Sequence, residues 1–241
     1  MDMELFCYND KHEINIKRNE DGNTGPVASP AVGLSHRPEG IFVSEESDSA
    51  YVRITPKNPL NLQAFTLCMR IATELKGRRE IILFAYRTQD HDELNVWREK
   101  DGRLSLYLRS NSNAAMFNLL PLYEFPTHLC VTWESFTGAT SFWLNGHRSM
   151  VKIYRRGHRV DPNGAVILGQ DPDSLLGSFD KGQSFKGEIS DVHMWDSILS
   201  TRQIWELYKN LSQAQGGNVI DWNSDQYQTF NNVVVLYNIN K

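Results

Sequence analysis

The chain has 241 residues, 40% of them hydrophobic and 22% charged, which is enough apolar mass for one large buried core and too much for wholesale disorder. Twenty-five Lys and Arg against 29 Asp and Glu leave a formal charge of −4, which argues against a nucleic-acid groove, since phosphate contacts need clustered positive charge. No run approaches the roughly 18 consecutive apolar residues of a membrane span, and six Trp, nine Tyr and eleven Phe favour a sheet-rich core.

Residues 1–32 stand apart, with scattered charge, a turn at Asp21-Gly22-Asn23 and a Pro/Ala/Ser stretch, but no sustained period. Their longest apolar run, Leu5-Phe6-Cys7-Tyr8, falls short of the roughly 7–15-residue apolar segment of a secretory leader. The segment reads as a poorly ordered extension ahead of a single domain, 33–241.

From Gly33 onward, β-type runs alternate with turn signals at regular spacing, the pattern of an all-β sandwich. The predicted strands are Gly40–Val43, Tyr51–Ile54, Phe65–Thr73, Glu80–Arg87, Glu93–Glu99, Arg103–Arg109, His128–Glu134, Ala139–Asn145, Ala165–Leu168 and Phe185–Trp195. Lys100-Asp101-Gly102 and Asn145-Gly146 supply tight-turn chemistry. Leu129, Val131 and Trp133 alternate with Cys130 and Thr132, a clean period of two. Near the end, Ser200-Thr201-Arg202-Gln203 reads as a capping box, with Leu199 and Ile204 as its hydrophobic staple. Ile204, Trp205, Leu207 and Tyr208 then give one short helix, about Thr201 to Lys209, an apolar face that packs on the sheet.

Of three cysteines, Cys7 lies in the extension, while Cys68 and Cys130 each sit in a strand-like run. Buried free thiols are one reading. The preferred one is a Cys68–Cys130 bridge, worth about 4 kcal/mol in the chain-entropy model and implying an oxidising compartment. The sequon Asn210-Leu211-Ser212, with Asn210 as glycosylation candidate, points weakly the same way.

The richest polar stretch is the loop Gly169-Gln170-Asp171-Pro172-Asp173, followed by Asp180 and Gln183. Three carboxylates and an amide within thirteen residues repel if brought together without a cation. Calcium suits them, because it takes roughly six to eight oxygens from carboxylates, amides and backbone carbonyls, Pro172 offering the last. A solvated acidic loop is an equally good reading of these residues alone. Asp90-His91-Asp92-Glu93 is a second acidic turn, which matters only if the fold brings it beside the first. No Cys or His partners stand at zinc spacing.

Enzyme motifs are missing: there is no G-x-S-x-G, no H-E-x-x-H and no G-x-x-x-x-G-K. In Glu188–Val192, strict alternation puts Glu188 on one face with Ser190 and Val192 and turns Asp191 to the other, so paired glycosidase carboxylates are not expected.

The stretch His128-Leu129-Cys130-Val131-Thr132-Trp133-Glu134-Ser135 resembles the pentraxin signature H-x-C-x-[ST]-W-x-[ST]. Asn61–Met69, Val166–Asp173, Gln183–Asp196 and Val219–Trp222 are also similar to short pentraxins. The resemblance, which covers Gly33 to Lys241, implies a flattened jelly-roll sandwich with one helix on one face and a Cys68–Cys130 bridge. It implies a cyclic, usually pentameric assembly, and a two-calcium site on the face opposite the helix. The ligands it implies are of the phosphocholine and phosphoethanolamine class, on microbial or damaged-cell surfaces. The implied protein is a secreted, calcium-dependent pattern-recognition lectin of innate immunity, with complement components among its partners.

Carried over by position, the calcium ligands fall on Asp92, Asp171, Pro172 through its carbonyl, Asp173, Asp180 and Gln183. Where the family has Asp-Asn before a Glu, this chain reads Asp92-Glu93, which leaves Asp90 or Glu93 as substitutes. Trp97 and Tyr107 fall beside the ligand's apolar part, where an aromatic pair attracts a quaternary ammonium. The acidic choline contact has no counterpart, since the matching region reads Arg109-Ser110-Asn111-Ser112. The alternative to this reading is a laminin-G-like adhesion or glycan-binding module on the same sandwich.

Overall fold

A computed structural model of the chain describes residues 38–110, 113–211 and 214–237. The extension 1–32, with Cys7, lies outside them. In chain order the strands begin β1 (Pro38–Val43), β2 (Tyr51–Thr55), β3 (Ala64–Ala72), β4 (Ile81–Arg87), β5 (Asp92–Arg98), β6 (Leu104–Leu108), β7 (Ala115–Phe117) and β8 (Thr127–Glu134). Next come β9 (Ala139–Leu144), β10 (His147–Arg148), β11 (Lys152–Ile153), β12 (Ala165–Leu168), β13 (Pro172–Ser174), β14 (Gly177–Phe179) and β15 (Gly187–Trp195). Helix α1 (Thr201–Tyr208) precedes β16 (Ile220–Asp221), β17 (Gln226–Phe230) and β18 (Val233–Tyr237). Each of the ten predicted strands is present, its ends shifted by two residues at most.

One antiparallel sheet runs β10-β9-β8-β3-β15-β1-β18, with β11 beside β9 and β16 beside β15. The other runs β17-β2-β12-β4-β5-β6-β7, and β13 with β14 forms a separate hairpin. Two sheets pack because each strand alternates. Phe65, Leu67, Met69 and Ile71 of β3 enter the core between the sheets, as do Leu129, Val131 and Trp133 of β8. Phe84, Phe142 and Phe185 are fully buried there too, and each such side chain contributes about 1.5–3 kcal/mol.

The outward residues of the first sheet make a smaller apolar layer under α1. Cys68 stands directly opposite Cys130 in the β3–β8 register, and the two sulfurs are bonded. Around them pack Trp143, Trp195, Leu199 and Ile204. The capping box forms as the sequence predicts: Ser200 Oγ accepts from the Gln203 amide while the Gln203 side chain reaches back to the Ser200 amide. At the other end, Arg70 Nη2 donates to the carbonyls of Leu207 (3.1 Å) and Tyr208 (2.8 Å), placing a cation at the helix C-terminus.

Three features differ from the sequence expectations. Trp205 does not join the core: it is 47% exposed, and only Ile204 of the helix is fully buried. Strict alternation also fails at Asp191, because the β3–β15 register shifts between Ser190 and His193. Asp191 takes φ +50°, pairs with Arg70 at 2.8 Å, and Val192 turns into the core. Finally, β7, β10, β11, β13, β14 and β16 to β18 fall outside the ten predicted strands; β18 pairs with β1 at the sheet edge, where its apolar residues are half-buried or exposed and carry no alternation to read.

Candidate calcium site

The candidate residues gather on the outer face of the second sheet, opposite the face that carries α1. β5 supplies two of them through a bulge. Leu94 pairs with Tyr86 and Asn95 with Ala85, but the next pairing is Asp92 with Arg87, so Glu93 is the extra residue. The bulge lets Asp92 and Asn95 face the same way although they are three apart. It also turns Glu93 inward, fully buried, where its Oε1 accepts from the Asp161 amide (3.0 Å) and lies 3.1 Å from His158 Nε2. Arg109 Nε is 3.8 Å from its other oxygen. Asp90 is exposed in the tight turn closed by the Thr88 amide on the His91 carbonyl.

The loop after β12 brings the other candidates. Its base is pinned by Gln170, whose Nε2 donates to the carbonyls of Ser47 (2.7 Å) and Ala50 (3.1 Å), and by the Phe185 amide on the Gly169 carbonyl (2.9 Å). Its hairpin leans on the sheet through Phe179, whose ring is 4.9 Å from that of Tyr51. Asp171 is therefore held at 5% exposure, with its Oδ1 accepting from Asn95 Nδ2 at 2.8 Å. Pro172 is buried beside it and Asp173 is exposed. Asp180 turns the loop back, its Oδ1 accepting from the Gly182 amide (2.7 Å) and its carbonyl from the Gln183 amide (2.9 Å). Gln183 is tied to β4, its carbonyl accepting from the Ile82 amide (3.1 Å).

Electrostatically the place is strained. Burial pushes the Asp171 carboxyl up to about 7, the negative charges of Asp92 and Asp173 push the same way, and Arg87 and the Asn95 hydrogen bond oppose them. Arg87 makes an ion pair with Asp92. Three buried amide oxygens in the area, Asn95 Oδ1, Gln170 Oε1 and Gln183 Oε1, have no hydrogen-bond partner. Buried carboxylate charge with unpaired carbonyl-type oxygens is a donor set suited to a hard cation that takes oxygens only. The cage is not closed, however. Among the described residues, the one group of three His, Cys, Asp or Glu ligand atoms within 4.8 Å of one another is Cys68, His128 and Cys130. Both of its cysteines are consumed by the disulfide. The acidic residues thus form two lobes, Asp92–Asn95–Asp171–Asp173 and Asp180–Gln183, rather than a finished shell.

Beside them lies an apolar patch. Trp97, 8% exposed, packs with Tyr51, Ile82, Ala85 and Ile167, and Tyr107 covers its edge. Burial, then Glu99, pushes the Tyr107 hydroxyl up to about 12. Asn95 stands directly across from Tyr107 in the β5–β6 register, linking the acidic loop to the aromatic patch. The sequence reading did not single out Asn95; the available signal was one amide interrupting the apolar run Leu94–Trp97. Asn210 is exposed just past the helix, but the third residue of its sequon, Ser212, lies outside the described residues, as do Asn111 and Ser112.

A family model described as the pentaxin family matches residues 41–236. The chain belongs to the pentaxin family, the pentraxins. This pentraxin is 55% identical over 189 residues to a Danio rerio protein named C-reactive protein, covering 78% of the one and 84% of the other. It is 38% identical over 197 residues to a Cavia porcellus serum amyloid P-component, covering 81% and 86%. A crystal structure of native heptameric SAP-like pentraxin from Limulus polyphemus superposes with a TM-score of 0.73 over 84% of this chain and 96% of that one. At 23% identity that likeness speaks for the jelly-roll fold. Pentraxins of these names are recognition proteins of innate immunity, and this pentraxin is such a protein, not an enzyme. Among the described residues no helix is long and apolar enough to cross a membrane.

Proposed function

We propose that this pentraxin is a secreted, calcium-dependent pattern-recognition lectin whose second-sheet face binds phosphate-bearing ligands of the phosphocholine and phosphoethanolamine class. The observation that carries the reading is Asp171: a carboxylate buried to 5% exposure, crowded by Asp92 and Asp173, beside the unpaired amide oxygen of Asn95. The ligand set for two calcium ions is Asp92, Asp171, Asp173, Asp180, Gln183 and the Pro172 carbonyl, to which we add Asn95. Bound calcium supplies open coordination positions for anionic phosphate oxygens. Asp171 and Pro172, rigidly based, fix the inner wall, while Asp173 and Asp180, exposed, close over from the loop. Trp97 and Tyr107 offer ring edges to the ligand's organic end, and with no acidic choline contact matched, Tyr107 and Asn95 leave ethanolamine as acceptable as choline.

Secretion is supported by the Cys68–Cys130 bridge, which belongs to an oxidising compartment. A cyclic homo-oligomer, five-membered by family resemblance, would present several such faces together and gain avidity of about 10²–10⁴ on a repetitive surface. Complement components are the partners the same resemblance suggests. The test is retention on phosphoethanolamine resin in millimolar calcium. Retention should disappear in EDTA and in Asp173→Ala, whose melting curve in EDTA stays that of the wild type; retention that survives EDTA would contradict the metal-bridge mechanism.

A further inference from the structure

Resting on the calcium reading, we propose that Arg87 is an exchangeable counter-ion of the ligand face: it competes with calcium for Asp92 and, once displaced, donates directly to the phosphomonoester of the ligand. The geometry points to this residue in particular. Arg87 stands across from Asp92 at the end of the β4–β5 ladder, and their side chains are only 13% and 20% exposed. A guanidinium so placed neutralises the carboxylate that the metal needs, and its charge also opposes the crowding around Asp171.

Arg87 has donors to spare. Its Nη1 serves one oxygen of Asp92, and its buried Nε has no partner among the described residues. Arg79, also near the acidic loop, has an unpartnered buried Nε as well, but its outer nitrogens are committed elsewhere. Arg79 pairs with Glu46, and its Nη2 donates to the Lys181 (2.7 Å) and Ser184 (2.8 Å) carbonyls, which commits it to holding the loop. A planar fork with free donors next to a metal-held phosphate matches the paired oxygens of a phosphomonoester, a match that a lysine ammonium cannot make. The same residue therefore acts in opposite senses, against calcium and in favour of the ligand.

Those opposite senses make the test sharp. Calorimetric titration of calcium, then of phosphoethanolamine at saturating calcium, is carried out on full-length wild type, Arg87→Ala, Arg87→Gln and Arg87→Lys. Light scattering and melting in EDTA check that assembly and fold are kept, and Arg87→Gln, close in shape, covers the case in which the alanine variant folds poorly. Both neutral variants should bind calcium about tenfold more tightly and phosphoethanolamine about tenfold more weakly, while Arg87→Lys restores the calcium affinity but not the ligand affinity. Inorganic phosphate as competitor should weaken about tenfold in the same variants, whereas a carboxylate probe such as acetate should change less. Unchanged affinities, or calcium and ligand weakening together, would overturn the proposal and leave Arg87 as a brace for Asp92. A wild type that takes up no calcium would instead bring down the reading on which the proposal rests, and the proposal with it.

Discussion

Asn95 interrupts the apolar stretch of β5 at an outward position, and its two ends meet different fates. Nδ2 holds Asp171, while Oδ1 is buried without a partner. Leaving a buried acceptor unpaired costs about 1–3 kcal/mol, which a calcium ligand recovers on metal binding. Asn95→Leu should therefore weaken calcium about tenfold in calorimetry, and an unchanged affinity would remove Asn95 from the site. On the opposite face, burial holds the His128 imidazole down at about 3, with Arg70 pushing the same way, and its Nε2 lies 3.7 Å from Cys130 Sγ. An imidazole depressed in the fold stays neutral there while the unfolded chain takes up a proton below about 6.5, so its stability contribution is lost as pH falls from about 6.5 toward 3. His193, also lowered by burial, adds to the same slope. Melting temperature should drop less steeply between pH 7 and 4 in His128→Gln than in the wild type; parallel curves would show that the ring is not held neutral.

At the scale of elements, local chemistry was legible and irregular pairing was not. The capping box of α1 needs only four residues in a row, so sequence and structure agree on it. Ser200→Ala should cost about 1 kcal/mol in denaturant titration. The alternating strands β3 and β8 were likewise readable, and with them the bridge between Cys68 and Cys130. Bulges are another matter. Alternation assumes one residue per rung, and at Glu93 and again at Asp191 the chain spends one extra residue, which reverses the faces of everything beyond it. That is why Asp92 with Asn95, and not Glu93, looks onto Asp171. The edge strand β18 escaped notice for a related reason: half-buried on an edge, it shows an apolar run with no period.

For the molecule as a whole, the disulfide and the helix stiffen one sheet while the other carries a deliberately uncomfortable set of charges. Reducing the Cys68–Cys130 bridge, which closes a loop with a sequence separation of 62, should cost about 4 kcal/mol of unfolding free energy without loss of calcium binding, because the two features lie on opposite faces. Coupled loss of both would mean that the faces are not independent. The acidic residues were visible in the sequence as two separate turns; that Asp92 of one comes to face Asp171 of the other depends on the sheet order β12-β4-β5, which no local pattern carries.

The account turns on whether the Asp92–Asp171–Asp173 and Asp180–Gln183 lobes close around metal. Calorimetric titration of the EDTA-stripped, assembled protein with calcium is the most direct measurement. Two ions per subunit should bind with dissociation constants of about 10⁻⁴–10⁻³ M, as extracellular calcium modules commonly do, and phosphoethanolamine should bind only afterwards. No heat of calcium binding at several millimolar, with phosphoethanolamine bound equally in EDTA, would contradict it.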